Sequence, residues 1–382
     1  MHLVWQVLFW WATAGLAYIY VGYPLLMAAL SRVAPLRREK SHAPRTVSIV
    51  LAAHNEANRL PAKLQSLLAM QHADWITEIL VGSDGSTDDT VAVLQQFPDA
   101  RVRVVPFAER RGKPAILNEL IPQCRGEIVL LTDARQEFDA AFLTECLANF
   151  ADPQVGVVSG ELVLRTSAAT TTAGEGIGLY WRYEKFLRKS ESRFRGVPGA
   201  TGACYAIRQA AFRRIPAETI LDDVAIPMWI VNQGYRCVFE PAAVAYDLPS
   251  TSPQQEAIRK RRTIAGVAQL VRLYPSWLLP WSNRLWFEFV SHKLLRLASP
   301  VLLLLAAVAN VALVSTPPYA VLLSLQFSFY VTGLVGWGAQ SRGQRSKLFG
   351  PALMFLTLNL TTAYALWDAW RSRYRVTWTK AA

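Results

Sequence analysis

Between Leu3 and Leu30 the chain carries no charged residue, and few folds can hide a stretch that long and apolar from water. It exceeds the ~20 residues a helix needs to cross a bilayer. A cleaved signal peptide fits poorly, because the start lacks basic residues, the run is too long and no small-x-small site follows. Arg32, Arg37, Arg38, Lys40 and Arg45 come next, which places the exit on the cytoplasmic side and the N-terminus outside. Apolar runs return at 300–314, 319–339 and 348–370. Arg342, Arg345 and Lys347 mark the loop before the last run as cytoplasmic. The basic tail with Arg371, Arg373, Arg375 and Lys380 carries the same mark, although one crossing cannot leave both ends inside.

The expected layout is a transmembrane helix over 1–31, a basic linker over 32–45 and a folded domain over 46–270. An interfacial amphipathic helix follows over 271–298, rich in Trp, Phe, Lys and Arg. About three further apolar segments occupy 299–371, giving four spans in all, and a basic tail ends the chain over 372–382. The net charge of +12 belongs to the flanks of these segments, so a nucleic-acid partner is excluded and the lipid bilayer is the expected one. Cys124, Cys146, Cys204 and Cys237 have neither metal-ligand nor disulfide-framework spacing. They read as free thiols of a reducing compartment, in keeping with a cytoplasmic middle domain.

That middle domain alternates strands and helices. Strands are expected at 47–53, 78–82, 101–106, 128–131 and 155–164, and helices at 56–70, 87–97 and 113–124. The class is α/β with a mostly parallel sheet. Three polar clusters then fall at strand ends on one edge, where such sheets bind ligands. They are Ala53-His54-Asn55-Glu56, Ser83-Asp84-Gly85-Ser86-Thr87-Asp88, and Asp133. Arg110-Arg111-Gly112-Lys113 adds cations at the start of a helix, suited to a phosphate-bearing ligand. Each cluster alone also reads as caps and turns; their convergence on one edge favours a site.

These residues resemble a family. Ala53-x-Asn55-Glu56, Ser83 to Asp88, Gly112-Lys113-x-x-x-Leu117-Asn118 and Thr132-Asp133-Ala134 are similar to motifs of the membrane-integrated family 2 glycosyltransferases. That family includes cellulose, chitin, hyaluronan and poly-N-acetylglucosamine synthases. The likeness continues through Gly199 to Arg208 and Leu221-Asp222-Asp223 and covers about 46–266. It implies a cytoplasmic GT-A domain (Rossmann-like, mostly parallel sheet) between N- and C-terminal transmembrane helices in a bacterial plasma membrane. It also implies inverting transfer from a nucleotide-sugar, with a UDP-sugar first in line, to a lipid-linked or growing glycan acceptor. A partner that exports the product across the envelope would suit such an enzyme.

Position by position, the resemblance puts Ala53, Asn55, Glu56, Asp84, Lys113, Asp133 and Arg135 at the nucleotide-sugar. Thr201, Gly202, Ala203, Cys204 and Tyr205 would line the acceptor end, and Asp223, beside Asp222, would be the catalytic base. Asp133 would also hold Mg2+ or Mn2+. Two departures from the pattern stand out. The metal motif's second acid is replaced by Arg135, so Glu137, Asp139 or Arg135 itself must share the charge neutralisation. The arginine motif near the acceptor keeps Arg259 and Arg262, an i, i+3 pair suited to clamping a diphosphate, but lacks its Trp. Without that aromatic platform, single-sugar transfer or a short product is favoured over a long polymer. The other readings are a polyprenyl-phosphate glycosyltransferase and a non-catalytic membrane nucleotide-binding protein. Intact Asp84, Lys113, Asp133 and Asp223 count against the second of these.

Overall fold

The computed structural model describes residues 1–165, 172–247, 253–342 and 348–371. Its middle is a sheet of β1 (Val47–Ala53), β2 (Ile76–Asp84), β3 (Val102–Phe107), β4 (Ile128–Thr132), β5 (Glu137–Phe138), β6 (Val155–Leu164), β7 (Cys204–Arg208) and β8 (Arg236–Asp247). The spatial order is β3-β2-β1-β4-β7-β6-β8-β5. The pairs β1–β2, β1–β4, β2–β3 and β6–β8 are parallel, while β4–β7, β6–β7 and β5–β8 are antiparallel. The continuous apolar runs of β1 and β4 are buried on both faces, as strands covered by helices must be. Val50, Leu80, Ile116, Leu131 and Val224 fill one side of the sheet. Ile49, Leu51, Leu64, Phe142 and Leu147 fill the other.

Parallel register decides where the site can be. Ala53 pairs with Ser83 and Leu51 with Thr132, so β1, β2 and β4 all exit at the same edge. The helices that follow are shorter than their periodicity predicts: α2 is Leu60–Leu68, α3 is Thr90–Gln95 and α4 is Lys113–Leu120. Before α2 and α3 the backbone is instead held in two facing loops by Asn55. That residue adopts φ 56°, its Oδ1 accepts from the Thr87 N–H at 2.7 Å, and its own N–H donates to Ser86 Oγ at 3.1 Å. Such side-chain bonds compete with a helical first turn.

The sequence expectations did not include β7. It inserts antiparallel between β4 and β6, opposing Thr132 to Cys204 and Ser159 to Tyr205. Running against β4, it begins where β4 ends, so the Gly199–Ala203 segment arrives beside Asp133. After α5 (Phe142–Ala148) come the long amphipathic α6 (Thr172–Phe194), then α7 (Asp222–Asn232) and α8 (Pro253–Leu273).

Three helices among the described residues are long and apolar enough to cross a membrane: α1 (His2–Val33), α9 (Trp286–Ala312) and α10 (Pro317–Ser341). The helix α11 (Gly350–Trp370) is not one of them. Thr357, Asn359, Thr361, Thr362 and Asp368 interrupt its apolar face, and Asp368 pairs with Arg261 of α8. The expected four spans thus become three among the described residues, and the tail beyond Arg371 lies outside them. Val7, Trp11, Leu25, Leu304, Val311, Leu325 and Leu334 stay exposed on the three helices, which suits a lipid surround.

The single helix expected over 271–298 is also divided differently. α8 ends at Leu273, a short turn follows at Pro275–Leu278, and α9 starts at Trp286. Two of its basic residues turn inward onto α6: His292 lies 2.8 Å from Glu191 and 3.1 Å from Glu184, and Arg296 pairs with Glu184. Tyr23 of α1 donates to the same Glu191 at 2.7 Å. This buried network ties the apolar helices α1 and α9 to the domain through α6. α1 and α9 meet over small residues, with Gly15 against Leu302 and Ala12 beside Ala306.

Candidate active site

Lys113, Asp133, Asp222, Asp223 and Gly202 come from four separate stretches and meet at the strand-exit edge. Lys113 is the first residue of α4. Its Nζ lies 2.7 Å from Asp133 Oδ1, 3.5 Å from Asp222 Oδ2 and donates to the Gly202 carbonyl at 3.3 Å. Burial disfavours its charge, but the carboxylates of Asp133 and Asp222 outweigh that and hold its pKa above the ordinary lysine value. Lys113 therefore remains a cation at any pH the protein meets.

Asp222 and Asp223 open α7, and Leu221 rather than either acid is its cap; neither carboxylate serves as a side-chain cap. The two side chains diverge. Asp222 turns inward, where the Tyr205 hydroxyl donates to its Oδ2 at 3.5 Å. Asp223 faces Gly202: a Cβ built there would stand 2.9 Å from Asp223 Oδ2. The Asp223 carbonyl accepts from the Ala200 N–H at 2.7 Å, which fastens the Gly199–Gly202 segment onto α7. Burial and the neighbouring Asp222 push the Asp223 carboxyl up to about 6, against the pull of Lys113. A carboxylate poised there can accept a proton near neutral pH.

Gly202 leaves space for that carboxylate. Gly202→Ala should keep the fold but force Asp223 into another rotamer, lowering turnover by about 100-fold, as expected when a reacting group moves by about 1 Å. Turnover within threefold of wild type would show that Asp223 does not need its present position.

Other predicted residues take up different places. The carboxylate of Asp84 is wholly buried and accepts from the Arg111 and Gly112 N–H groups at 2.6 and 2.9 Å. It shapes the turn before Lys113 and is not open to a ligand. Gly85 (φ 59°) lets the Arg110 backbone approach it, a contact that a Cβ would block at 2.7 Å. Ala53 is buried at the end of β1, and Glu56 pairs with Arg59 at 3.2 Å. Arg135 turns onto the buried Asp247, 2.7 Å away. Glu137 pairs with Arg165, and Asp139 accepts from the Tyr246 hydroxyl and the Ala141 N–H. Ala203, Cys204 and Tyr205 are buried as β7 begins, which leaves Thr201 and Gly202 as the surface of that segment. Arg259 and Arg262 lie on α8 two turns and one turn before Gly266, which packs on Leu221.

Sequence reasoning missed Arg188, Asp247 and Lys63. Arg188 of α6 donates to Thr201 Oγ1 at 2.7 Å and to Ser159 Oγ at 2.8 Å, clamping the segment opposite Asp223. Lys63 could have been found: it falls with Leu60, Leu64 and Leu67 on the buried stripe of α2. Its Nζ donates to Thr132 Oγ1 at 3.0 Å and to the Gln136 carbonyl at 2.7 Å. Burial pushes its amine down to about 7, against the pull of Asp133.

No group of three or more His, Cys, Asp and Glu stands together among the described residues. Asp133 is the accessible carboxylate, 44% exposed with one oxygen on Lys113. Magnesium-type sites need only one or two carboxylates when substrate phosphates complete the shell. The residues therefore fit a divalent ion brought in with a diphosphate.

An α/β domain with an acid–lysine constellation at its strand-exit edge defines a class, and comparison with known proteins specifies it. Over 96% of this chain and the whole of the other, the fold matches a mannosyltransferase from Pyrobaculum calidifontis solved with GDP-mannose and Mn2+, with TM-score 0.71 and 23% identity. The domain is thus a GT-A glycosyltransferase fold. Residues 44–266 match the model of glycosyltransferase-like family 2, and the chain belongs to that family. It is 24% identical over 207 residues to a poly-beta-1,6-N-acetyl-D-glucosamine synthase of Staphylococcus epidermidis, across 53% of this chain and 50% of the relative. It is 26% identical over 253 residues to an N-acetylglucosaminyltransferase of Azorhizobium caulinodans, across 62% and 63%. The chain thus spans about half to two-thirds of the curated relatives it matches.

Proposed function

We propose that this family 2 glycosyltransferase moves a sugar with inversion from a nucleotide-sugar, a UDP-sugar by first choice, to a hydroxyl of a lipid-linked or growing glycan acceptor at the membrane. The observation that carries this reading is Asp223, an acid with pKa near 6, facing Gly202 and flanked by the Lys113–Asp133 pair. Inversion needs one carboxylate to take the proton of the incoming hydroxyl as the new bond forms. Asp223 is that base. Thr201 and Gly202, set by Arg188 and by the Ala200–Asp223 bond, form the acceptor side.

The leaving nucleoside diphosphate needs positive charge more than a protein acid. Lys113, beside Asp133 at the strand-exit edge, supplies it, while the Arg135 guanidinium is turned onto the buried Asp247. Asp133 would hold a divalent ion, which when bound adds to the neutralisation of the diphosphate. Asp84 acts one step back, holding the Arg111–Gly112 turn that presents Lys113. Glu56 and the 83–88 loop form the nucleoside side.

The test is nucleoside diphosphate release by detergent-purified protein across UDP-N-acetylglucosamine, UDP-glucose and GDP-mannose, with Mg2+, Mn2+ or chelator. Release with one donor, increased by a glycan or lipid acceptor, is the expected result. A polyprenyl-phosphate acceptor that alone stimulates release would replace the glycan reading. No release and no nucleotide binding with any donor would overturn the proposal.

A further inference from the structure

Lys63 lies beneath the loop that carries Asp133 without touching Asp133. Only 3% of the residue is exposed, and its Nζ spans the loop from Thr132 Oγ1 (3.0 Å) to the Gln136 carbonyl (2.7 Å). The Phe138 ring closes the remaining side, 4.1 Å from Nζ. Thr132 passes the connection on: its hydroxyl donates to the Ala203 carbonyl at 2.9 Å. Ala203 follows Gly202, the residue facing Asp223. One amine thus braces the donor-side carboxylate loop and, through one hydroxyl, the start of the acceptor-side segment. The loop's other end is held independently, because the Gln136 Nε2 donates to Asp247 at 3.0 Å.

Resting on the transferase reading above, we infer that Lys63 is a positioning residue for sugar transfer, holding Asp133 and the Gly202–Ala203 segment in fixed relation through Thr132 and Gln136. A long polar side chain in an apolar stripe costs free energy when it is buried. Methionine, of the same length, would fill the stripe without the desolvation cost, but it would leave the Gln136 carbonyl and the Thr132 hydroxyl without the donor they now have. Both N–H donors survive loss of the lysine proton, so the brace holds in either charge state. Supporting groups of this kind change rates by about 10–100-fold when removed.

The test compares Lys63→Met and Thr132→Val with wild type in full-length, detergent-purified protein. Lys63→Met is expected to fold, since the lost desolvation cost offsets the unpaired Gln136 carbonyl, and to show faster hydrogen exchange at 133–136 and 203–204. Its kcat should fall about 10–100-fold, with the donor KM within about threefold, because the nucleoside contacts are untouched. Thr132→Val keeps the lysine, breaks the link to Ala203, and should lower kcat in the same way; it decides the matter if Lys63→Met fails to fold. Wild-type kcat in either folded variant, or unchanged exchange at both segments, overturns the inference. A wild-type protein that turns over no nucleotide-sugar instead overturns the transferase reading, and the exchange measurement still shows whether Lys63 holds the two segments.

Discussion

Asp223→Asn is expected to lower sugar transfer about 100- to 10,000-fold, the range a general base contributes, while nucleotide binding persists. Asparagine keeps the shape that fits against Gly202 and cannot accept the proton. The same substitution should leave stability at pH 7 unchanged or higher, and the sign follows from the pKa. A carboxyl raised to about 6 favours the protonated form in the fold. Its stabilising contribution is present below the ordinary carboxylate range and is lost as pH rises through 6. At pH 7 the wild type therefore carries an unfavourably placed charge that asparagine lacks. In the wild type, kcat/KM should climb about tenfold per pH unit up to about 6 and then level off. Melting curves and pH-rate profiles from pH 5 to 8 check both statements. Comparable turnover in the two proteins would remove Asp223 from the mechanism.

Much of this architecture is legible in the sequence, and what is missing has a physical reason. Runs of apolar residues mark β1 and β4, because strands covered on both faces admit little else. From them follows the edge at which Asp84, Lys113 and Asp133 emerge. β7 is hidden because Cys204–Arg208 is short and its place between β4 and β6 is a long-range choice. Glu240-Pro241 interrupts the pattern of β8, so its last residue, Asp247, could not be foreseen as the partner of Arg135. Asp84 has the motif's residue type, but only the turn geometry shows its oxygens occupied by backbone donors. The charged residues of 284–296 look like a membrane-surface face in sequence. His292 and Arg296 among them pack on Glu184 and Glu191 because α6, some hundred positions earlier, lies alongside them. Periodicity reports that a face is polar; it does not report what that face meets.

Lys113→Met should be nearly as damaging as Asp223→Asn, for a different reason. The ammonium is the cation within bonding reach of Asp133, Asp222 and the Gly202 carbonyl at once. Without it, in the proposed mechanism, the leaving diphosphate loses a preorganised positive charge, and kcat/KM should fall about 100- to 1,000-fold. Two further shifts separate this from a general loss of structure. Lys113 pulls the Asp223 carboxyl down, so its removal should move the acid limb of the pH profile upward from about 6. Lys113 also occupies one Asp133 oxygen, in competition with any divalent ion there. The residual activity should therefore saturate at a lower Mn2+ concentration than wild type, even as the maximum falls. A pH-rate profile and a Mn2+ titration on the same preparation read both effects. An unmoved acid limb would mean that Asp223 titrates independently of Lys113. Weaker Mn2+ activation would mean that the lysine supports the ion through the site's shape, without contesting its ligand.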